Sequence, residues 1–157
     1  QHACQGAPVG GRRKRGGFAH AIGRSRGGRT TKIHALCDGQ GRPVAFLLTP
    51  GNINDITPAL DLLAMIAPPE MLLADKAYDA NRLRLWLSER GAVAVIPSTT
   101  SRRAPIPYDT KRYKARNLIE RMFCRLKDFR RIATRYDKRA DIFLSAICLA
   151  AAISWWT

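Results

Sequence analysis

A chain of 157 residues with 46% hydrophobic content can build one domain with its own core, and is too short for two ordinary ones. Its formal net charge of +15 is too extreme for a typical metabolic enzyme and calls for a polyanionic partner, nucleic acid before membrane. Residues 1–32 carry eight Lys or Arg and no acid, and residues 101–141 carry fourteen basic and five acidic side chains, so the charge flanks a near-neutral centre.

The first 29 residues hold eight of the twelve glycines, which makes the segment too flexible and too charged to bury anything. It reads as a mobile basic arm, with Arg12, Arg13, Lys14 and Arg15 as sequence-independent DNA contacts. Residues 30–157 read as one α/β domain. Thr30–Leu36 and Val44–Leu48 flank the turn Asp38-Gly-Gln-Gly41 and predict a β-hairpin, in which Asp38 serves backbone geometry and His34 is a strand residue with a satisfied ring. A helix is expected over Asn54–Ile66 with Asn54 or Asp55 as cap, then a strand at Met71–Ala74, a helix at Asn81–Arg90 capped by Asp79, and a strand at Val93–Ile96. Alternating helix and strand favours parallel pairing.

A polar loop over Ser98–Arg112 leads to a basic helix placed at Tyr113–Ile132. At about 100° per residue, Tyr113, Arg116, Glu120 and Lys127 fall within a stripe roughly 60° wide, while Leu118, Ile119, Met122, Leu126 and Phe129 gather opposite. The polar face thus offers one carboxylate among cations. The apolar run Ile142–Trp156 is shorter than a bilayer span and reads as a buried C-terminal helix, with Trp86, Trp155 and Trp156 supplying core area. Cys4, Cys37, Cys124 and Cys148 have neither disulfide nor zinc spacing, which suits reduced thiols and a cytoplasmic, nucleoid-associated protein. The start at Gln1 rather than Met suggests a fragment, a frameshift product or a decayed remnant.

Asp75 directly follows an apolar strand, where the functional crevice of open α/β sheets lies. If the Glu120 face covers that crevice, two carboxylates converge on a site suited to Mg²⁺ or Mn²⁺ and phosphate oxygens. The plainer alternative is that Asp75 caps the next helix and Glu120 pairs with Arg116.

The order Tyr113, Arg116, Glu120, Lys127 resembles the Tyr-(2)-Arg-(3)-Glu-(6)-Lys signature of bacterial insertion-sequence transposases with a DDE triad, the group related to insertion sequences four and five. The likeness extends to Gly23-Arg-Ser-Arg-Gly-Gly28, Thr31-Lys-Ile-His34, Leu48-Thr-Pro-Gly-Asn52, Ala74-Asp-Lys-Ala-Tyr-Asp79 and Arg130-Arg-Ile-Ala-Thr-Arg-Tyr-Asp-Lys138. The resemblance implies a ribonuclease H-like fold, metal-dependent DNA cleavage and strand transfer, and DNA, both element ends and target, as partner. It further implies Asp75 and Glu120 as catalytic, metal-binding acids, and Tyr113, Arg116 and Lys127 as DNA contacts. Self-association is expected, and a membrane partner is not. In the family the first aspartate and first strand precede a segment like His2-Ala-Cys-Gln-Gly6. Here both are absent, so an upstream portion is expected to supply them and the chain is expected to be incomplete or inactive alone. The rival readings are a non-catalytic nucleic-acid-binding protein and a stand-alone Mg²⁺ nuclease.

Overall fold

A computed structural model describes residues 20–25 and 28–156. β1 (Gly23–Ser25), β2 (Gly28–Cys37) and β3 (Pro43–Pro50) form an antiparallel sheet with β2 central. The expected hairpin is present: Ile33 faces Leu48, Ala35 faces Phe46, and the register shifts between Leu36 and Cys37. Asp38 closes its turn. Oδ1 accepts from the amides of Gln40 and Arg42, both at 2.9 Å, and Oδ2 from Arg42 Nε at 2.7 Å. Burial alone would raise its pKa, but the Arg42 and Gln40 bonds outweigh that and hold the carboxyl below its usual range. β1 and the start of β2 fall within the stretch expected to be an arm, so the arm was drawn too long. Residues 1–19, with Arg12, Arg13, Lys14 and Arg15, lie outside the described residues.

Period-two alternation gives the hairpin two working faces. Ile33, Ala35, Cys37, Phe46 and Leu48 pack on a cluster built from Met122, Leu126, Ile132, Phe143 and Ile147. Leu36, on the other face, joins a second cluster around Leu63, Leu83, Leu87 and Ile96. His34 points to the same side as Leu36, is 5% exposed, and shares a 2.8 Å hydrogen bond with Thr49 Oγ1, as expected of a satisfied strand histidine. Burial pushes its pKa below 6.5; Asp55 opposes the shift and Lys32 adds to it. The unfolded chain therefore takes up a proton near pH 6.5 that the folded chain refuses. The stability this neutral ring permits is complete above about pH 6.5 and is lost as pH falls below it. NMR titration of the His34 ring should give a midpoint under 6.5, and a midpoint at or above that value would contradict the burial argument.

The second half carries the parallel pair. β4 (Met71–Leu73) runs alongside β5 (Val93–Val95), with Leu72 facing Ala94, and α2 (Asn81–Ser88) connects them. Leu83 and Leu87 of α2 are completely buried, one helical turn apart on the core face. The helix expected over Asn54–Ile66 is reduced to α1 (Ala59–Leu63). Its cap is Pro58, not Asn54 or Asp55. Asp55 is drawn off by Lys32 Nζ at 2.9 Å, and the same ammonium donates to the Ile53 carbonyl at 2.8 Å, fixing residues 51–57 as turns.

Asp79 is not a cap of α2, whose preceding residue Ala80 supplies no side-chain bond. Its carboxylate has no solvent exposure and accepts from Arg84 Nε (2.8 Å), Thr99 N (2.8 Å), and Arg102 Nε and Nη2 (both 2.9 Å). One buried acid thereby ties the end of β4, α2 and the loop after β5 together. The Arg102 guanidinium first, then the Thr99 amide and Arg84, hold its pKa well below the carboxylate range against the opposing effect of burial.

The basic helix expected as one piece is broken. α3 (Thr110–Tyr113) passes through a 3₁₀ turn at Lys114–Arg116 into α4 (Asn117–Lys127), and α5 (Arg130–Thr134) follows a break at Asp128 and Phe129. Asp109 caps α3, accepting from the Lys111 and Arg112 amides. Met122 and Leu126 of α4 are buried as its pattern requires. α6 (Ala140–Trp155) buries Phe143, Ile147, Ala150 and Ala151 but leaves Ile142, Leu149 and Ile153 exposed, so it is buried on one face rather than all round. Trp86 and Trp155 are half-buried as core residues, with Arg90 and Arg125 over their rings, whereas Trp156 is exposed, with Arg42 over its ring. No described helix is long and apolar enough to cross a membrane.

Candidate functional site

A cavity of about 710 Å³ separates the two sheets. Residues 33–37 of β2 with Asp38 and Gly39 of the turn line one wall, and β4 with the flanking Glu70, Ala74 and Asp75 the other, while Leu62 and Leu63 of α1 and Ile119 and Phe123 of α4 contribute apolar surface. Asp75, Arg116 and Glu120 all border this space, joined by Arg112 and Tyr78. Asp75 stands where β4 ends and caps the 3₁₀ turn Lys76–Tyr78, with Oδ1 accepting from Ala77 N at 2.9 Å. Among the described residues nothing donates to its Oδ2. Glu120 lies in the first turn of α4, and its Oε1 accepts from Arg116 Nη2, while nothing among the described residues donates to Oε2. Both features of the plainer alternative are therefore present, and each acid keeps one oxygen with no donor among the described residues.

Arg116 also lies 5.9 Å from the Tyr113 ring, which is packed edge-on to Tyr108 at 5.4 Å. Tyr113, Arg116 and Glu120 thus form a chain of contacts despite the 3₁₀ interruption. Tyr78, next to Asp75 in the same wall, has its phenol pKa pushed up to about 12 by burial first and then by the carboxylates of Asp55 and Asp75. It stays a neutral donor throughout the physiological range. Lys127 is elsewhere: it borders a second cavity of about 780 Å³ with His20, Arg24, Arg29, Arg135 and Lys138.

Hard carboxylate oxygens with spare lone pairs suit a divalent cation such as Mg²⁺. Asp75 and Glu120 both bring such oxygens to this cavity. They do not complete a metal shell, since no three His, Cys, Asp or Glu side chains converge among the described residues. Asp38 also borders the cavity, but its carboxylate oxygens are occupied by Arg42 and the turn amides.

The sequence profile described as a transposase DDE domain matches residues 5–155, nearly the whole chain. The chain belongs to the DDE transposase family. Two relatives agree. A Brucella ovis protein named "Putative transposase for insertion sequence element IS6501" is 38% identical over 127 residues, covering 80% of this chain and 98% of that protein. A Burkholderia cepacia protein named "Putative transposase for insertion sequence element IS402" is 33% identical over 137 residues, covering 80% of this chain but 63% of that protein. No solved structure matches. Family membership gives the Asp75 and Glu120 cavity its interest, because two ion-paired or capping acids are common in proteins without any catalytic role. Sequence reasoning missed Arg112, Arg24 and Arg29 at these cavities. Arg24 was visible only as part of a family-like stretch, and nothing in local spacing marks the place where Arg112 or Arg29 ends up.

Proposed function

We propose that this chain is the catalytic region of an insertion-sequence transposase, acting on DNA by metal-dependent cleavage and strand transfer. The observation that carries the reading is the shared cavity of Asp75 and Glu120 in a chain of the DDE transposase family. Asp75 and Glu120 would hold the cation, which when bound supplies Lewis acidity toward phosphate oxygens and a nucleophile at neutral pH. Arg116 orients Glu120 and, with Arg112, offsets the charge of a phosphodiester entering the cavity. The neutral Tyr78 phenol can donate a hydrogen bond beside Asp75.

The ribonuclease H-like fold is part of the same proposal. β1 pairs with β2 only over Gly28–Thr30, so beyond it β2 and β4 present backbone to one space with no ladder between them, and an extended strand seated there would join the two sheets into a single mixed one. An upstream segment carrying a further aspartate level with Asp75 would satisfy the two edges and complete the metal shell together.

The test is a DNA nicking and strand-transfer assay on the element's own ends in Mg²⁺ or Mn²⁺. It compares this chain with a form extended upstream by one strand. Cleavage confined to the extended form is expected. DNA binding without cleavage in either form would leave a nucleic-acid-binding protein and overturn the catalytic reading.

A further inference from the structure

The second cavity, of about 780 Å³, is bordered by β1, β2, the end of α4 and the segment around Arg135. Arg24 and Arg29 lie directly opposite each other in the β1–β2 register and both border it. Like charges placed face to face across an antiparallel pair repel. Neither has a carboxylate partner among the described residues, and the same holds for the other exposed cations of the rim, Lys127 and Lys138. The one acid at the cavity, Asp137, is already held by both arms of Arg131, at 2.7 and 3.0 Å. Arg135 adds a guanidinium whose Nη1 is buried without a hydrogen-bond partner among the described residues, while its Nη2 donates to the His20 carbonyl at 2.6 Å.

The rest of the cavity is not a generic basic surface. Ile22, Ile132 and Phe143 give it an apolar floor, and Tyr136, 58% exposed, stands at its edge. A positive rim over an apolar floor with an available aromatic ring matches the chemistry of a single nucleic-acid strand, phosphates outward on the cations and a base against the ring. Ile33 and Phe123, both packed on the core, border both cavities, so the basic cleft and the one holding Asp75 and Glu120 lie on either side of the same side chains.

We propose that this cleft binds a single strand of DNA, with Arg24, Arg29, Lys127 and Lys138 on its phosphates and Tyr136 stacked on a base. The inference deepens the transposase reading and rests on it for the choice of DNA as the strand. Binding itself needs neither metal nor cleavage.

The experiment measures affinity of the 157-residue chain for a short single-stranded oligonucleotide across a salt series without divalent metal. In Arg24→Gln/Arg29→Gln the slope of log K against log salt should fall by about 1.4, two phosphate contacts on a single strand. Tyr136→Ala should weaken binding roughly tenfold and leave the slope unchanged. Thermal melting checks the fold, and relief of the Arg24 and Arg29 repulsion should keep or raise the midpoint. Should the double variant fail to fold, Lys138→Gln alone should lower the slope by about 0.7. Unchanged slopes in the variants would overturn the cleft. So would a Tyr136→Ala protein that binds single strands as the parent does. If metal-dependent nicking by the extended form survives such a result, the transposase reading stands and only this assignment falls.

Discussion

Asp79→Asn should cost about 3 kcal/mol of folding stability, the scale for breaking a buried ion pair from one side. The substitution keeps the shape of the side chain and removes its charge. Arg84 and Arg102, whose side chains are 13% and 19% exposed, then lose their counter-ion, and one amide nitrogen is turned toward groups that are themselves donors. Against a typical domain stability of about 5–15 kcal/mol, that is a large share, and the melting midpoint should drop by roughly 10 °C. Because the folded-state pKa of Asp79 is depressed, its contribution is complete above the unfolded value of about 3.9 and fades as pH falls toward the folded one. Urea unfolding at pH 7 and at pH 3 should therefore show a gap between parent and variant that is wide at pH 7 and narrower at pH 3. A gap under about 0.5 kcal/mol at pH 7, the size of an ordinary surface change, would show that Asp79 is not the clamp described.

Glu120→Gln in the upstream-extended form should do the opposite. Its ion pair with Arg116 is at the surface, the Glu120 side chain being 59% exposed, and such pairs contribute about 0.3–0.5 kcal/mol within a helix. Stability should hardly move. Cleavage should fall on the order of a thousandfold, equivalent to about 4 kcal/mol of barrier, if Glu120 holds the cation that activates the nucleophile. DNA affinity should be kept or slightly raised, since a negative charge is removed from a cationic surface. Nicking at parental rates would remove Glu120 from the proposed site and leave it as the partner of Arg116 alone. Together the two variants separate roles that look alike in sequence: support of the turn on which Asp75 stands for Asp79, and the proposed action on substrate for Glu120.

The difference between these two acids was not legible in the chain. Asp79 looked like a helix cap because Asp before a helical pattern usually is one. Its three partners come from residues 5 to 23 positions away, and only the folding of the loop after β5 onto α2 gathers them. The basic helix is a similar case. Its 3.6-residue pattern is continuous in sequence, yet the chain changes to a 3₁₀ turn at Lys114–Arg116 and breaks at Asp128, while Glu120 and Lys127 stay on one helix and border different cavities because about two helical turns separate them. Helical periodicity fixes which residues share a face of an ideal cylinder. It does not say where the cylinder stops.

What the sequence determined by itself was local or additive. The hairpin followed from alternation around a glycine-bearing turn, β4 and β5 from short apolar runs, the core side of α4 from periodicity, and the polyanionic partner from net charge, each of which depends on neighbouring residues or on composition. The family was legible too, because its signature is a spacing along the chain. Tertiary structure alone decided that Asp75 and Glu120 border one space, that β2 and β4 face each other across it without pairing, and that Arg24 and Arg29 stand opposed at a second cleft. Those relations join positions tens of residues apart, and they are set by which apolar faces the chain buries together.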